Sequence, residues 1–233
     1  MVSYIVGSFM VVGAALVLYD YMTWVSSGTG GIPPTPYGYL RSTKLWMKQL
    51  LGATYLRDSR PLENEPALQF LPLGSIPPRR GGRPQMRARP LPHRQIVDEL
   101  SSDIKEQILA LTERVHEDYP RITLVRPSRA GGETSVAIYA NPDLPTLNKA
   151  PADALQCEIA HAPPEDGAFH VLLSPADAVQ VIRAYWGEQF AIPDLSPGYI
   201  LVYAPRDGEE LEIVGSILRA VHWVTGASSA LHV

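Results

Sequence analysis

Two histidines on either side of a turn-forming segment are the residues of this chain best suited to chemistry. His161 ends one short apolar run and His170 begins another, and the sequence Pro163-Pro164-Glu165-Asp166-Gly167 between them is typical of a turn. A hairpin would place the two imidazoles opposite each other on one face of a sheet, with Glu158 on the other face through strand alternation. Imidazole titrates near neutral pH, so the pair predicts acid–base chemistry or substrate orientation.

Each histidine has alternatives. Two adjacent imidazoles are potential metal ligands, but a metal centre needs a third ligand, and the chain has no HxH, HExxH or paired-cysteine motif. We therefore expect no metal here. A polar residue packed at a sheet edge is the ordinary structural alternative for either histidine. The single cysteine, Cys157, excludes an intrachain disulfide and is expected to be a small core residue.

Short strings on both sides of the predicted hairpin occur in a fixed order. They are Gly82-Arg83-Pro84, Arg94-Gln95, Glu158-Ile159-Ala160-His161, His170, Trp186-Gly187 and Tyr203-Ala204-Pro205-Arg206. In order and spacing they resemble the luciferase family of fungi, over about residues 37–226. The light-emitting members of that family oxidise a hydroxylated hispidin, a styryl-pyrone, with molecular oxygen. The resemblance implies an enzyme that acts on a pyrone- or polyketide-like secondary metabolite.

The chemistry implied by the resemblance is addition of oxygen to an electron-rich enol without a cofactor. Such a reaction needs a base, cationic or N–H donors for the anion, and an apolar pocket that excludes water. His161 is the expected base, and Glu158 and His170 complete the expected catalytic set. The expected substrate-binding residues are Arg83, Arg94, Trp186, Tyr203 and Arg206.

Several of these residues also fit ordinary structural positions. Trp186 and Tyr203 suit the core, Arg206 suits a surface charge at a helix start, and Glu158 suits an exposed strand position. The wider basic cluster at residues 79–89 interrupts a proline-rich stretch and is expected to be solvated or to contact anionic lipid.

One string departs from the luminous relatives. They have a Trp-Gly-x-Arg-His-Pro-Leu string, whereas this chain has Trp186-Gly187-Glu188-Gln189-Phe190-Ala191-Ile192. Because a cation and an acid–base group are lost, we expect a different substrate and no light emission. Two other functions stay open: a cyclase or isomerase that uses His161 and Glu158 without oxygen, and a non-catalytic, membrane-anchored interaction module.

Hydrophobic periodicity predicts an α+β domain with a mostly antiparallel sheet flanked by helices, preceded by an N-terminal transmembrane helix. Strands are expected at residues 121–125, 135–139, 155–161, 168–173 and 199–203. Helices are expected at residues 40–51, 95–116, 175–185 and 209–225, the last stopped by Gly226. The helix at residues 40–51 is amphipathic and suits either the domain or a membrane surface.

The chain begins with a stretch that is apolar to Val25 and has no charged side chain before Asp20. This length suits a membrane-spanning helix. A cleaved signal peptide is the alternative, but the stretch has no cationic start and is long for one. Three basic residues, Arg41, Lys44 and Lys48, follow it, so the positive-inside rule predicts that the domain faces the cytosol. We expect the membrane to be an endomembrane.

Composition agrees with one membrane-attached domain. The 233 residues, 45% hydrophobic, divide into an anchor at 1–25, a Ser-, Gly- and Pro-rich linker at 26–36 and a luciferase-like domain at 37–233. A formal net charge of −4 predicts no general attraction to nucleic acid. The expected partners are a small-molecule substrate, molecular oxygen and a membrane, with no cofactor.

Overall fold

An antiparallel sheet and the helices packed on it form the body of the protein, as the α+β prediction requires. A computed structural model describes residues 2–30, 32–51, 55–65, 68–89, 91–97, 100–129, 135–190 and 195–227, with the side chains of residues 2–7 excepted. The helices are α1 Val2–Ser26, α2 Pro36–Leu51, α3 Arg60–Glu63, α4 Ser102–Asp118, α5 Lys149–Ala154, α6 Pro175–Arg183, α7 Gly208–Leu218 and α8 His222–Thr225. The strands are β1 Thr123–Pro127, β2 Val136–Ala140, β3 Glu158–His161, β4 Phe169–Leu172, β5 Gly187–Gln189 and β6 Tyr199–Val202.

The sheet has the strand order β1-β2-β3-β4-β6-β5, and every neighbouring pair is antiparallel. The helices α4, α6 and α7 cover one face and enclose the main apolar core. Residues such as Ala160, Val171 and Ile200 reach that core from the middle strands. Side chains that alternate with them point to the opposite face, where the histidines lie.

An extended segment, described at residues 76–89 and 91–97, covers this opposite face. Met86 pairs with Gln95 in an isolated bridge and packs against a small buried cluster formed by Ala168, Leu201 and Tyr203. Two hydrogen bonds fix Gln95: its backbone N–H donates to Asp166 (2.8 Å), and its side-chain oxygen accepts from the N–H of Ala204 (3.0 Å). The loop between β3 and β4 thus holds the covering segment in place.

Two predicted helices differ from the observed ones. The helix expected to begin at residue 95 begins at Ser102, because Gln95 is tied into the extended segment and the Ser101 hydroxyl caps the helix by accepting from the N–H of Ile104. The helix expected over 209–225 is divided into α7 and α8. Its expected stop is confirmed, since Gly226 has φ of 61° in the left-handed region.

Helix α1 is the element that could enter a membrane. Its residues Ser8–Ser26 have a mean hydropathy of 1.4 and are long and apolar enough to cross a bilayer, criteria that a signal sequence also meets. A second cluster joins the end of α1 to the domain through Trp24, Ile32 and Leu91. Part of the Gly- and Pro-rich connection is therefore packed, since Ile32 lies within it.

Candidate functional site

The predicted hairpin is confirmed: His161 on β3 and His170 on β4 are directly paired. Their rings meet edge to face, with centroids 4.8 Å apart. Both side chains are buried. The two imidazoles therefore form a contact pair inside the protein and not at a solvated sheet edge.

Glu158 lies beside His161, which corrects the prediction that it points to the other face. Tyr139 pairs with Glu158 and Ile138 with Ala160, so Ile159 is an extra residue in β3. This bulge interrupts strand alternation. As a result Glu158 Oε1 lies 2.7 Å from His161 Nδ1. Glu158 is also buried, so the alternative of an exposed strand position is wrong.

A set of donors keeps Glu158 ionised. The hydroxyls of Ser128 and Tyr139 each donate to it at 2.8 Å, and the N–H of Arg129 donates at 2.9 Å. Burial alone would raise the pKa of Glu158, but the hydrogen bonds from His161, Ser128 and Tyr139 outweigh it and lower the pKa to about 2.

The ionised carboxylate of Glu158 orients the ring of His161. A carboxylate only accepts hydrogen bonds, so Nδ1 of a neutral His161 carries the proton and Nε2 carries the lone pair. His161 Nε2 is buried and has no hydrogen-bond partner among the residues that the structure describes. A base oriented by a carboxylate, with its second ring nitrogen buried and unpartnered, suits proton abstraction.

His170 is held neutral beside it. Burial is the main cause that lowers the pKa of His170 well below its usual range, and the positive charge of Arg94 adds to it. The His170 Nε2 lies 3.4 Å from the carbonyl oxygen of His93, to which it can donate.

A second histidine–carboxylate pair faces the first across the site. His93 Nε2 lies 2.8 Å from Glu188 Oε1, and Glu188 also accepts from the Tyr203 hydroxyl (2.9 Å) and from Arg57 Nε (3.1 Å). Burial raises the pKa of Glu188, but these bonds, led by that from His93, lower it below the usual range. His93 Nδ1 is buried without a hydrogen-bond partner in the described part of the chain.

Sequence reasoning missed His93 and Glu188, although each adjoins a string that it used. His93 directly precedes Arg94-Gln95, and Glu188 directly follows Trp186-Gly187. The two residues are 95 positions apart, so no local spacing links them.

The strand pairing explains why these groups share one face. His161 pairs with His170, His170 with Leu201, and Leu201 with Glu188, in one row across β3, β4, β6 and β5. Residues directly opposite in antiparallel strands point to the same side. His93, which lies outside the sheet, joins them through its contacts with Glu188 and His170. Three of the chain's six histidines thus lie on one half of the sheet.

Phe190 fills the space between the histidines. Its ring centroid lies 5.0 Å from that of His170, 5.2 Å from that of His93 and 4.9 Å from that of Tyr199. This is the position at which the resemblance implies histidine in luminous relatives. The substitution places an apolar ring in the middle of the histidine group.

The predicted aromatic residues are buried in a different arrangement. The Arg79 guanidinium lies over the rings of Trp186 (5.3 Å) and Tyr203 (5.5 Å) and is paired with Glu210 at 2.9 Å. Trp186 Nε1 donates to the carbonyl of Pro77. Trp186 thus occupies a core position, while Tyr203 reaches the site through Glu188.

The predicted arginines separate into two groups. Arg94 lies within electrostatic range of His170 and forms an ion pair with Glu165 at 3.4 Å. Arg83 donates to the carbonyl of Ile182, and Arg206 pairs with Glu210, so their described contacts lie at the ends of α6 and α7. Arg206 lines a cleft of about 750 Å³ together with Arg79 and Gln95.

A metal centre is not formed by the residues described. Within the described ranges no group of three or more His, Cys, Asp or Glu side chains is arranged to hold an ion. Cys157 is half-buried, and burial raises the pKa of its thiol.

Comparison with known proteins gives a match over the part of the chain that contains β3 to β6. Residues 156–221 match the family model described as the luciferase domain. The resemblance to the fungal luciferase family is confirmed. The chain is 26% identical over 215 residues to a luciferase of Armillaria mellea and 25% identical over 221 residues to one of Armillaria ostoyae. Each alignment covers 86% of this chain and 78% of the relative.

The luciferase-domain match contains most of the site. It includes Glu158, His161, His170, Glu188 and Phe190, whereas His93 lies before it. No solved structure matches the chain.

Proposed function

We propose that this protein is a membrane-anchored, luciferase-like enzyme that oxygenates a pyrone- or polyketide-like metabolite without a cofactor and without emitting light. The observation that carries the proposal is the Glu158–His161 pair, whose buried Nε2 is free to accept a proton. The luciferase-domain match over residues 156–221 supports the assignment of this pair to the reaction.

In the proposed reaction His161 Nε2 takes the enolic proton of the substrate. The resulting anion donates electrons to molecular oxygen, a carbon–oxygen bond forms, and oxygen is reduced to the peroxide level. The proton then passes from His161 to the terminal oxygen, so substrate and oxygen give a hydroperoxide. Glu158, ionised and 2.7 Å from Nδ1, stabilises the intermediate imidazolium. A positioned base of this kind contributes roughly a hundredfold to ten-thousandfold in rate.

The surroundings of the pair suit this chemistry. Arg94 brings positive charge toward His170, which favours a substrate anion. Phe190 and Tyr199 supply apolar rings that exclude water from a peroxide. Because Phe190 stands where luminous relatives have histidine, a polar contact to the substrate is lost, and we assign the absence of light to this change.

Oxygen uptake with supplied pyrones tests the proposal. The full chain in detergent or vesicles is mixed with hydroxylated hispidin and with simpler hydroxy-pyrones, and oxygen consumption and light are recorded together. We expect oxygen uptake with a pyrone and no sustained light. Light equal to that of an authentic fungal luciferase would contradict the non-luminous assignment. Substrate rearrangement without oxygen uptake would indicate a cyclase or isomerase, and neither binding nor turnover would indicate an interaction module.

The natural substrate can be found independently. In a strain that lacks the gene, a hydroxy-pyrone or related polyketide should accumulate and its oxygenated product should disappear. Metabolite profiling measures both changes. An unchanged profile would argue against a biosynthetic role.

We also propose that α1 is a retained anchor and that the domain faces the cytosol. Arg41, Lys44 and Lys48 follow the apolar stretch, and no basic residue precedes it.

A further inference from the structure

The outward surface of α2 differs from that of a helix in water. We infer that this surface docks on the anionic face of the membrane that α1 enters, so that the domain is held against the bilayer and not merely tethered to it. The inference rests on the proposed anchoring of α1. Its partner is a lipid surface, recognised by apolar and basic side chains placed together.

The exposed face of α2 combines large apolar residues with cations. Leu40 is 64% exposed, Met47 55% and Leu51 88%. At about 100° per residue these three positions fall on one strip of the helix. The cations Arg41, Lys44 and Lys48 lie beside that strip, also exposed. The helix contains no acidic residue.

The inward face of α2 is already occupied. The Arg89 guanidinium lies 5.2 Å from the ring centroid of Tyr39 and 5.4 Å from that of Trp46, and it also pairs with Asp20 of α1. Gly38 is buried so tightly that a Cβ there would lie 2.1 Å from the carbonyl oxygen of Pro33. The apolar strip therefore cannot turn inward without breaking these contacts. A soluble helix has the reverse arrangement, with its large apolar residues inside.

The position of α2 relative to α1 identifies the bilayer as the occupant. Pro36 and Tyr39 line an apolar groove of about 470 Å³ together with residues 13–21 of α1. All the α1 residues that line the groove lie within the candidate span Ser8–Ser26. The Tyr39 ring also contacts the rings of Tyr21 and Trp24, near the end of the span that leads into the domain, at centroid distances of 5.5 Å and 5.8 Å. If α1 spans the membrane, the start of α2 therefore lies against the leaflet on the side of the domain. An interfacial helix in this place buries apolar side chains at the acyl boundary and keeps its cations among the headgroups.

The test uses the full chain with Cys157→Ser and single cysteines that carry a fluorophore. Met47→Cys reports on α2, Leu16→Cys on α1, and Leu109→Cys on an exposed position of α4 that serves as control. The protein is placed in vesicles of phosphatidylcholine, with or without phosphatidylserine. Some of the lipids in each vesicle carry a nitroxide on the acyl chain, which quenches a fluorophore that lies in the bilayer. We expect quenching at positions 16 and 47 and little at position 109.

Charge reversal tests the anionic contact. Each basic residue near an anionic surface strengthens binding roughly fivefold. Arg41→Glu, Lys44→Glu and Lys48→Glu together should remove most of the quenching at position 47 in phosphatidylserine vesicles. The exposed Lys105→Glu on α4 is the matched control and should leave it unchanged.

The outcomes separate this inference from the anchor. Quenching at position 16 without quenching at 47 overturns the docking of α2 and leaves the anchor in place. Quenching at 47 without quenching at 16 supports docking and refutes the span. A label at 47 that is shielded from water but not quenched indicates a protein partner or a second copy of the chain, and also overturns the inference. Quenching that survives the triple charge reversal overturns the anionic contact.

Discussion

The proton on His161 decides what this site can do. Its Nδ1 is engaged by Glu158, so any substrate proton must go to Nε2, which is buried and unpartnered in the described residues. A buried nitrogen without a partner costs free energy in the resting protein. That cost is recovered when a ligand supplies the missing hydrogen, so the site is arranged for a proton donor.

Replacement of this base should separate catalysis from stability. His161→Gln is expected to lower turnover roughly a hundredfold to ten-thousandfold, because a positioned base is lost. Thermal unfolding should change little, because the Gln amide can still donate a hydrogen bond to the buried Glu158 carboxylate. His116→Gln is the matched control: His116 is half-buried on α4 and lies 2.8 Å from the Thr123 hydroxyl. The control should retain full oxygen uptake. Undiminished turnover in His161→Gln would remove His161 from the mechanism and direct attention to Glu158.

Glu158 should make folding depend on acid pH. Its pKa is lowered from about 4.3 in the unfolded chain to about 2 in the fold. The stabilisation is therefore fully present above pH 4.3 and is lost as the pH falls through about 2.

The Glu158→Gln variant should consequently lose on the order of 3 kcal/mol of unfolding free energy at neutral pH, and less as the pH falls. Denaturant unfolding from pH 7 to pH 2 measures this difference. Glu113→Gln, at an exposed position of α4, serves as control. A difference between Glu158→Gln and the natural chain that is constant with pH would contradict the assignment.

The sequence predicts the histidine pair of this site but not the pair of His93 and Glu188. Turn chemistry between His161 and His170 was sufficient to pair them, because a short loop leaves few registers for the strands. The side of Glu158 could not be predicted, since a bulge is set by the fit of β3 against β2 and has no signal in alternation. The partnership of His93 with Glu188 depends on how the extended segment crosses the sheet.

Strand β5 is the element that brings Glu188 and Phe190 to the histidines. Its three residues, Gly187–Gln189, lack the β-branched and aromatic residues by which strands are recognised, so it was not predicted. The division between α7 and α8 also escaped prediction, because apolar residues keep their helical spacing across it. The longer strands, with their apolar runs between Gly and Pro, were all predicted.

Gly187 should be indispensable to this element. A Cβ at Gly187 would lie 2.5 Å from the carbonyl oxygen of Leu201, so Gly187→Ala must push β5 from β6. We expect a loss of about 1–3 kcal/mol in unfolding free energy, together with lower turnover as Glu188 moves. Gly208→Ala is the control, because nothing lies within 4 Å of a Cβ there. Denaturant unfolding checks both variants, and equal stability of the two would refute the packing argument.

At the scale of the whole molecule, α1 and the domain share a packed junction. Trp24 and Ile32 meet Leu91 there, and Phe190 packs against the same cluster from the site side. The apolar cluster at the end of α1 is therefore continuous with the ring that lies among the histidines. Composition predicts the apolar N-terminal helix but not this contact, which depends on where Leu91 lies relative to the sheet.

Orientation can be measured in microsomes. If the domain faces the cytosol, protease added to intact microsomes should degrade it while a lumenal marker protein survives. The basis is the excess of Arg and Lys after the span. Protection of the domain, or recovery of a mature chain that begins after Ser27, would contradict the retained, cytosol-facing anchor.

The row of paired residues His161, His170, Leu201 and Glu188 restricts how β4 can shift relative to its neighbours. A strand shifted by one residue exchanges all its side chains between faces. A length change between His161 and His170 that the loop cannot absorb would therefore bring Phe169 or Val171 to the histidine face and send His170 into the helix-covered core. Insertions in this loop are compatible with the site only when they bulge outward or shift β4 by an even number of residues. In related sequences, the loop between β3 and β4 should therefore vary freely in composition, while the register between the two strands stays the same.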